Sequence, residues 1–237
     1  MGARPEQRDE GLGPVEAEES GGGRAVPVRL PERLSVRDQV LDALREAIVT
    51  GELAPGSVHS GPALAARYGV SATPVREAMQ ALAREGAVDV LPNRGFRITE
   101  RSARDLAELA EVRALLEVPV LLALARALPA GRWAELLPLA EETVAVAARG
   151  DRAAYAESDR AFHRALLGLS GNLQLVAVAE DLHRRAQWPA ADAPLPLRPA
   201  ALLADAAEHN VLLEALIAGD LRTVESLARE HVSPARR

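Results

Sequence analysis

Four side chains in the second half of the chain have the types and spacing of a metal site. Asp159 and His163 are one helical turn apart and lie within the apolar stripe of their helix, whereas a surface ion pair would occupy the polar face. His209 and His231 also fall among apolar residues on two later helices. Burying one carboxylate and three imidazoles without partners is costly, and a divalent cation would satisfy all four together.

A hairpin of the last two helices can bring His209 and His231 to the same level along the helix axes. Gly219 and Asp220 allow a hairpin bend, with His209 ten residues before Gly219 and His231 twelve residues after it. At about 1.5 Å per residue the two imidazoles lie roughly 15 and 18 Å from the bend. The oxygen and nitrogen donors suit zinc, nickel, cobalt, iron or manganese and do not select one, so zinc is only our first choice of divalent metal ion.

Three further side chains have competing interpretations. Arg113 stands in a leucine-rich helix, where it can pair with Glu117 or Glu111 of the same helix or reach into the bundle to bind an anionic ligand. We carry the second role, effector binding, forward as a hypothesis. His59, in a turn before a helix, and His183, among charged neighbours, are expected to be ordinary surface histidines.

The elements that must position these groups are helices. From Ser102 onward there is no strand signal, and the pattern indicates an antiparallel bundle of about six helices separated by glycine or proline. Asp151 and Asp220 directly follow glycines and are natural N-caps. The proline-rich stretch 188–199 is expected to be a long loop. The predicted helices span 103–128, 132–148, 152–169, 172–187, 198–218 and 221–232.

Residues 68–86 have the features of the second half of a helix-turn-helix motif. A short helix, 62–67, comes first; Gly69 supplies the turn, Ser71 can cap the second helix and Gly86 ends it. Four apolar residues recur at helical spacing and are expected to face inward, namely Val75, Ala78, Met79 and Leu82. The outward residues of its N-terminal half, the end that enters a DNA major groove in this motif, are Ser71, Thr73, Arg76 and Gln80.

A helix and a hairpin flank this motif. Ser35 caps a helix that Gly51 ends, and its apolar stripe consists of Val36, Val40, Leu44 and Ile48. Two short extended runs, 87–91 and 96–99, are joined by the turn residues 92–95 and predict a wing. The fold class is therefore mainly α, with a winged helix-turn-helix domain over 31–100 and an all-α effector-binding and dimerisation domain over 101–237. Residues 1–30 are too poor in apolar groups to offset the entropy of ordering, and we expect a disordered tail.

The composition restricts the partners. A net charge of −6 over 237 residues argues against nucleic-acid binding by the whole surface, but five arginines against three acids between Arg67 and Arg97 favour a local DNA contact. The absence of cysteine fits a reducing cytoplasm. The longest apolar stretch, 115–128, is interrupted by charges and a proline and is too short to span a bilayer. We expect a cytoplasmic protein without a membrane anchor.

At these motifs the chain resembles GntR-family transcriptional regulators of the FadR-like group with an FCD ligand-binding domain. The first half matches through LREAIVTGELAPGS (44–57), LAARYGVSATPVREAMQALAREGAV (64–88) and PNRGF (92–96). The second half matches through EVRALLE (111–117), DRAFHRALL (159–167), GN (171–172), EHNVLLEALIAGD (208–220) and His231.

The resemblance implies a homodimer whose winged heads bind double-stranded operator DNA with two half-sites, and a metal held by the four residues introduced above. It also implies a small carboxylate effector near the metal that changes DNA affinity through the spacing or mobility of the heads, with repression as the expected effect. Arg76 matches the DNA-contacting arginine of the TPVREA signature, and Gly95 matches the wing-tip glycine that approaches the minor groove. Arg94, beside Gly95 in the wing turn, is a further candidate DNA contact.

Two departures from the family pattern concern DNA specificity. An arginine often stands between the positions of Ser71 and Thr73, where this chain has Ala72. Such an arginine can pair with guanine, a contact worth about 1–3 kcal/mol of discrimination, so we expect a different operator or one recognised by Thr73, Arg76 and the wing. An acidic residue usual before the short helix is also missing, because residues 58–61 read VHSG.

Two alternatives explain the same residues differently. Three histidines and a carboxylate also occur in catalytic sites, so the chain could be a metal-dependent hydrolase with an attached DNA-binding domain, although no separate acid or base stands beside the four groups. The bundle could instead be only a dimerisation module whose histidines are satisfied by the core.

Overall fold

The computed structural model describes Met1, residues 35–191 and residues 199–233. Its first helix is capped by Ser35. The N-terminal part, which we call the head, comprises α1 (Val36–Val49), β1 (Val58–His59), α2 (Gly61–Tyr68), α3 (Ala72–Arg84), β2 (Val88–Leu91) and β3 (Gly95–Ile98). The tail predicted over 1–30 lies outside the described residues apart from Met1.

The helices of the head form for the reasons that the sequence predicts, with two corrections. Ser35 accepts a hydrogen bond from the Asp38 backbone N–H, and Gly69, at φ 64°, ends α2. Ser71 stands at the N-cap of α3 but its side chain makes no capping hydrogen bond, contrary to prediction. Val36 is 52% exposed, because it is the first residue of α1 and the buried stripe begins one turn later at Val40.

The wing is part of a three-stranded antiparallel sheet with the order β1-β3-β2. The hairpin β2–β3 follows the prediction, with Leu91 opposite Gly95. The two-residue strand β1 was not predicted; its His59 pairs with Phe96 of β3. This pairing brings Gly95 so close to β1 that a Cβ added there would lie 2.3 Å from the His59 carbonyl oxygen.

The second part, which we call the bundle, is entirely helical in the residues that the structure describes. Asp151, Asn172 and Asp220 cap their helices through side-chain hydrogen bonds. The helix predicted over 132–148 is in fact two helices, because Pro138 lacks the N–H that a continuous helix would use. The helices of the bundle are α4 (Ala103–Ala127), α5 (Ala130–Ala134), α6 (Leu137–Ala148), α7 (Arg152–Gly168), α8 (Leu173–Gln187), α9 (Pro199–Ala218) and α10 (Leu221–His231).

The described residues form three hydrophobic clusters, of which two are large and the third is a small one around Tyr155 and Leu202. The core of the head is built on α1 and α3 and also includes Ala156 of α7 and Trp188, which follows α8. The main core of the bundle includes Trp133, Phe162, Leu166 and Leu213, all fully buried. None of the helices in the described ranges combines the length and the apolar character needed to cross a bilayer.

Candidate metal centre and DNA-contact face

The predicted inward and outward sides of α3 are both observed. The inward residues Val75, Ala78, Met79 and Leu82 are fully buried. The outward residues, which we call the DNA-contact face, are all exposed: Ser71, Thr73, Arg76 and Gln80. Because Ser71 does not cap α3, its hydroxyl is left on this face.

Charge pairing distinguishes the arginines of the head. Arg67 pairs with Glu52, and Arg97 pairs with Asp89 across the wing at 2.8 Å. Arg76 on α3 and the exposed Arg94 at the wing turn have no carboxylate partner among the described residues. Two positive charges on the DNA-contact face and the wing therefore remain for an external anion such as a phosphate.

Three helices of the bundle bring the predicted metal ligands together. α7 supplies Asp159 and His163, α9 supplies His209 and α10 supplies His231, and one ligand atom from each lies within 4.8 Å of every other. We call these four residues the metal cluster. The Nε2 atoms of His163 and His231 are 2.9 Å apart, and the His209 Nε2 is 3.2 Å from Asp159 Oδ1.

Hydrogen bonds outside the metal cluster fix the tautomers of two imidazoles. Thr143 donates its single hydroxyl proton to the Ala140 carbonyl at 2.7 Å, so its oxygen accepts from His209 Nδ1 at 3.0 Å. His231 Nδ1 likewise donates to the Glu208 carboxylate at 2.9 Å. The Nε2 atoms of both histidines therefore carry lone pairs that face the centre of the cluster, as metal ligation requires.

The carboxylate of Asp159 uses its two oxygens differently. Oδ2 accepts hydrogen bonds from His183 Nε2 and Gln187 Nε2, each at 2.9 Å. Oδ1 faces the cluster and is buried without a hydrogen bond, as is the Nε2 of His209. Buried acceptors are normally satisfied, so a cation bound between them fits this donor set.

Burial and neighbouring groups shift the pKa values of three members of the cluster and of His183. It lowers the pKa of His163 well below its usual value, lowers that of His231, and lowers that of His183 to about 4. For Asp159, burial by itself raises the pKa, but the neighbouring imidazoles and the hydrogen bond from His183 outweigh it and hold the pKa well below its usual value. Neutral imidazoles and an ionised carboxylate are the forms that bind metals.

His183 is a buried neighbour of the metal cluster that the sequence prediction placed wrongly. Instead of lying on the surface, it is 2% exposed and orients Asp159 from α8. Its charged neighbours Arg184 and Arg185 suggested a solvated position. The spacing of Val176, Ala179 and His183 along one side of α8 is the signal that would have identified it as buried.

Replacement of His183 by alanine should weaken metal binding by roughly 10- to 100-fold, because Asp159 loses one of the donors that orient it. Zinc affinity measured by competition with a chromophoric chelator tests this. His59→Ala is the matched control, since His59 lies outside the cluster and its side chain is hydrogen-bonded to Ser57. Equal zinc affinity of wild type and His183→Ala would show that His183 has no part in metal binding.

Arg113 is buried in an ion pair with Glu117 on its own helix, one of the two predicted pairings. Nε and Nη2 of Arg113 donate to the two oxygens of Glu117 at 2.7 and 3.3 Å. Its Nη1 is buried and has no hydrogen-bond partner in the described part of the chain. The pair lies beside the cluster, with Glu117 Oε2 3.7 Å from His163 Nδ1.

A cavity of about 100 Å³ opens beside the metal cluster. Its wall includes Asp159 and His231 on one side and apolar surfaces of Tyr155 and Leu202. Val49 of α1, together with Ala156 and Trp188, also lines it, and these three residues belong to the hydrophobic core of the head. The cavity therefore touches both the cluster and the packing of the head.

A winged helix-turn-helix head followed by an all-helical bundle is the architecture of a class of DNA-binding transcriptional regulators. The chain belongs to the GntR family: the family model "Bacterial regulatory proteins, gntR family" matches residues 36–98, and the FCD domain model matches residues 108–233. It is thus a GntR-type regulator with an FCD domain, and the hydrolase alternative is wrong.

Similar proteins agree with this assignment. The "Probable D-xylose utilization operon transcriptional repressor" of Paenarthrobacter nicotinovorans is 30% identical over 85% of this chain and 87% of its own length. The solved structure of E. coli McbR/YncC has a TM-score of 0.67 at 28% identity and covers 84% of this chain and 94% of its own. A GntR regulator structure from Rhodococcus sp. RHA1 has a TM-score of 0.61 at 27% identity, over 83% and 93% of the two chains.

Proposed function

We propose that the protein is a metal-assisted repressor whose operator affinity is controlled by a small carboxylate effector. The observation that carries this proposal is the convergence of buried, unsatisfied acceptor atoms beside a cavity whose wall also belongs to the core of the head. Similarity to a protein named as a repressor supports repression as the direction of control.

The metal cluster would hold the divalent ion, with zinc as our first choice because three imidazole nitrogens and one carboxylate oxygen are common zinc ligands. When bound, the ion supplies a Lewis acid that attracts the carboxylate of the effector. Thr143, Glu208 and His183 orient three of the ligands from outside. Manganese, nickel, cobalt and iron remain compatible with this donor set.

We further propose that Arg113 contributes to effector binding. Two of its nitrogens are occupied by Glu117, so an anion would be bound through Nη1, the atom that has no partner in the described residues. The ion pair also keeps the guanidinium fixed against Glu117, whose Oε2 lies 3.7 Å from His163 Nδ1. Arg113 would therefore act as a rigid positive group next to the metal and not as a mobile clamp.

Coupling to DNA would pass through the residues that the cavity shares with the head. An effector that contacts Val49, Ala156 and Trp188 alters the packing of α1, on which α3 rests. To change operator binding, the effector must have different affinities for the DNA-competent and DNA-incompetent arrangements. Couplings of about 1–3 kcal/mol are typical for such regulators.

The protein would act as a cytoplasmic homodimer on double-stranded operator DNA. Support for self-association comes from α4, where the side chains of Val112 and Leu115 are 48% and 70% exposed and share a face with the exposed Pro119. A second copy of the chain could cover this apolar face. In each half-site the DNA contacts would be made by Ser71, Thr73, Arg76, Arg94 and Gly95.

Fluorescence anisotropy on DNA from upstream of the protein's own gene tests the proposal. Binding is measured at fixed salt with zinc-loaded and chelated protein, with and without a panel of small carboxylates. We expect zinc-loaded protein to bind this DNA selectively, and one acid to change its affinity. After chelation, the same acid should leave the DNA affinity unchanged. Specific binding indifferent to all acids and to chelation would contradict effector control and leave the bundle as a dimerisation module.

Replacement of Arg76 by alanine should lower operator affinity by roughly 10- to 100-fold, because an arginine that contacts base edges contributes about 1–3 kcal/mol. Affinity for random DNA should fall much less. Arg84→Ala is the matched control: Arg84 is exposed on the same helix but stands at its opposite end. An equal loss on operator and random DNA would show that Arg76 contacts phosphates only.

A further inference from the structure

Arg152, the first residue of α7, is a partly buried cation that forms no ion pair with any residue of the described ranges. It lines the same cavity as Asp159 and His231. Its Nη1 is buried and has no hydrogen-bond partner in the described ranges. Burial lowers the pKa of Arg152.

The neighbouring arginines of α7 show that pairing is the rule in this region. Arg160 pairs with Glu157, and Arg164 pairs with Glu180 on α8. Unlike these two, Arg152 faces the cavity and makes no ion pair with any described residue. Because a desolvated, unpaired cation is costly, its retention at this place is best explained by an anion that enters the cavity.

The rest of the cavity wall restricts where negative groups of a ligand can lie. Asp205, Glu208 and Glu230 contribute carboxylates, and Leu202 and Trp188 contribute apolar surface. Carboxylates repel a ligand anion and apolar surface cannot solvate one. Among the described residues of this wall, the side chains that favour a negative group are Arg152 and, once the proposed metal is bound, the metal cluster.

We propose that Arg152 binds a second anionic group of the effector, so that the effector is a small acid with two negative groups, one at the metal cluster and one at Arg152. This inference rests on the proposed function and specifies its ligand class. The cavity, at about 100 Å³, sets the size of such a ligand. Since one water needs roughly 10–15 Å³ counted in this way, the space holds several waters, which suits an acid of a few carbon atoms.

The test compares acids of equal length with one or two carboxylates on zinc-loaded, full-length protein. Dissociation constants are measured by isothermal titration calorimetry for malonate, succinate, glutarate and adipate, and for the monocarboxylates of the same chain lengths. The variants are Arg152→Gln, Arg152→Lys and the surface control Arg149→Gln, whose side chain is 60% exposed near the start of α7. Zinc content and operator binding are determined on the same samples.

Wild type and Arg149→Gln should bind one dicarboxylate at least about tenfold more tightly than its monocarboxylate partner, because a charge-assisted contact is gained. Arg152→Gln should lose this preference while keeping zinc, and Arg152→Lys should retain part of it. A wild type without the preference, or an Arg152→Gln variant that keeps it, would overturn the role of Arg152. If zinc binding and acid-dependent operator binding persist in that case, the proposed function stands; if they are absent as well, both fail.

Discussion

The Glu117→Ala variant is expected to lose about 3–5 kcal/mol of unfolding free energy, the usual effect of removing one partner of a buried ion pair. Arg113 and Glu117 are 0% and 2% exposed, and their closest contact is 2.7 Å. Without Glu117, the guanidinium of Arg113 stays charged in a desolvated position, with no other acid within ion-pairing distance in the described residues. The loss of stability therefore comes more from the unpaired, buried guanidinium than from the missing hydrogen bonds.

The same helix offers a matched control for this variant. Arg104 and Glu108 form an ion pair with the same four-residue spacing, but their side chains are 87% and 60% exposed. Glu108→Ala should change stability by less than about 1 kcal/mol. Urea unfolding of metal-free protein gives both values and separates them from any loss of bound ion near His163. Similar urea midpoints for the two variants would contradict the expectation that the buried Arg113 needs Glu117 for stability.

The second large effect is expected at the wing, where Gly95→Ala should destabilise the head by about 3–5 kcal/mol, the sum of backbone strain and a steric clash. Gly95 has φ 107°, and the new Cβ would lie 2.3 Å from the carbonyl oxygen of His59. The clash is with backbone atoms of β1, so it can be relieved only by separating β1 from β3. Operator affinity should fall with the loss of wing geometry.

Gly69→Ala isolates the strain from the clash. Gly69 also has a positive φ, 64°, but an added Cβ would meet no atom within 4 Å. Its cost should therefore be only about 1–2 kcal/mol, the penalty for a left-handed L-residue. Thermal unfolding of both variants, together with anisotropy on operator DNA, measures the difference. Equal destabilisation of the two variants would show that β1 moves away from the new methyl group at no cost in stability.

Elements governed by local sequence could be predicted well. The N-caps Ser35, Asp151 and Asp220 depend on residues within one helical turn, and all three act as predicted. The inward stripe of α3 could be predicted because a 3.6-residue period assigns its buried side directly. Periodicity also placed Asp159 and His163 on an inward face, and the bend at Gly219 correctly brought His209 and His231 to one height.

The rest depended on contacts between distant parts of the chain. β1 has only two residues, too few for a strand signal, and forms because β3 lies beside it. The bond between Thr143 and His209 joins residues 66 positions apart, and that between Asp159 and His183 joins residues 24 apart. Such partners follow from helix packing and carry no local pattern. The helix break at Pro138 was the exception, since its residue type was visible in the sequence.

The place of Trp188 gives the protein an intrinsic optical signal. The chain has two tryptophans, of which Trp133 is enclosed in the core of the bundle and Trp188 stands between the cavity and the core of the head. Indole emission depends on the polarity around the ring, so a molecule entering the cavity changes the spectrum of one tryptophan and leaves the other as an internal reference. Changes around Trp188, at the place where the cavity meets the core of the head, can thus be followed without an attached dye.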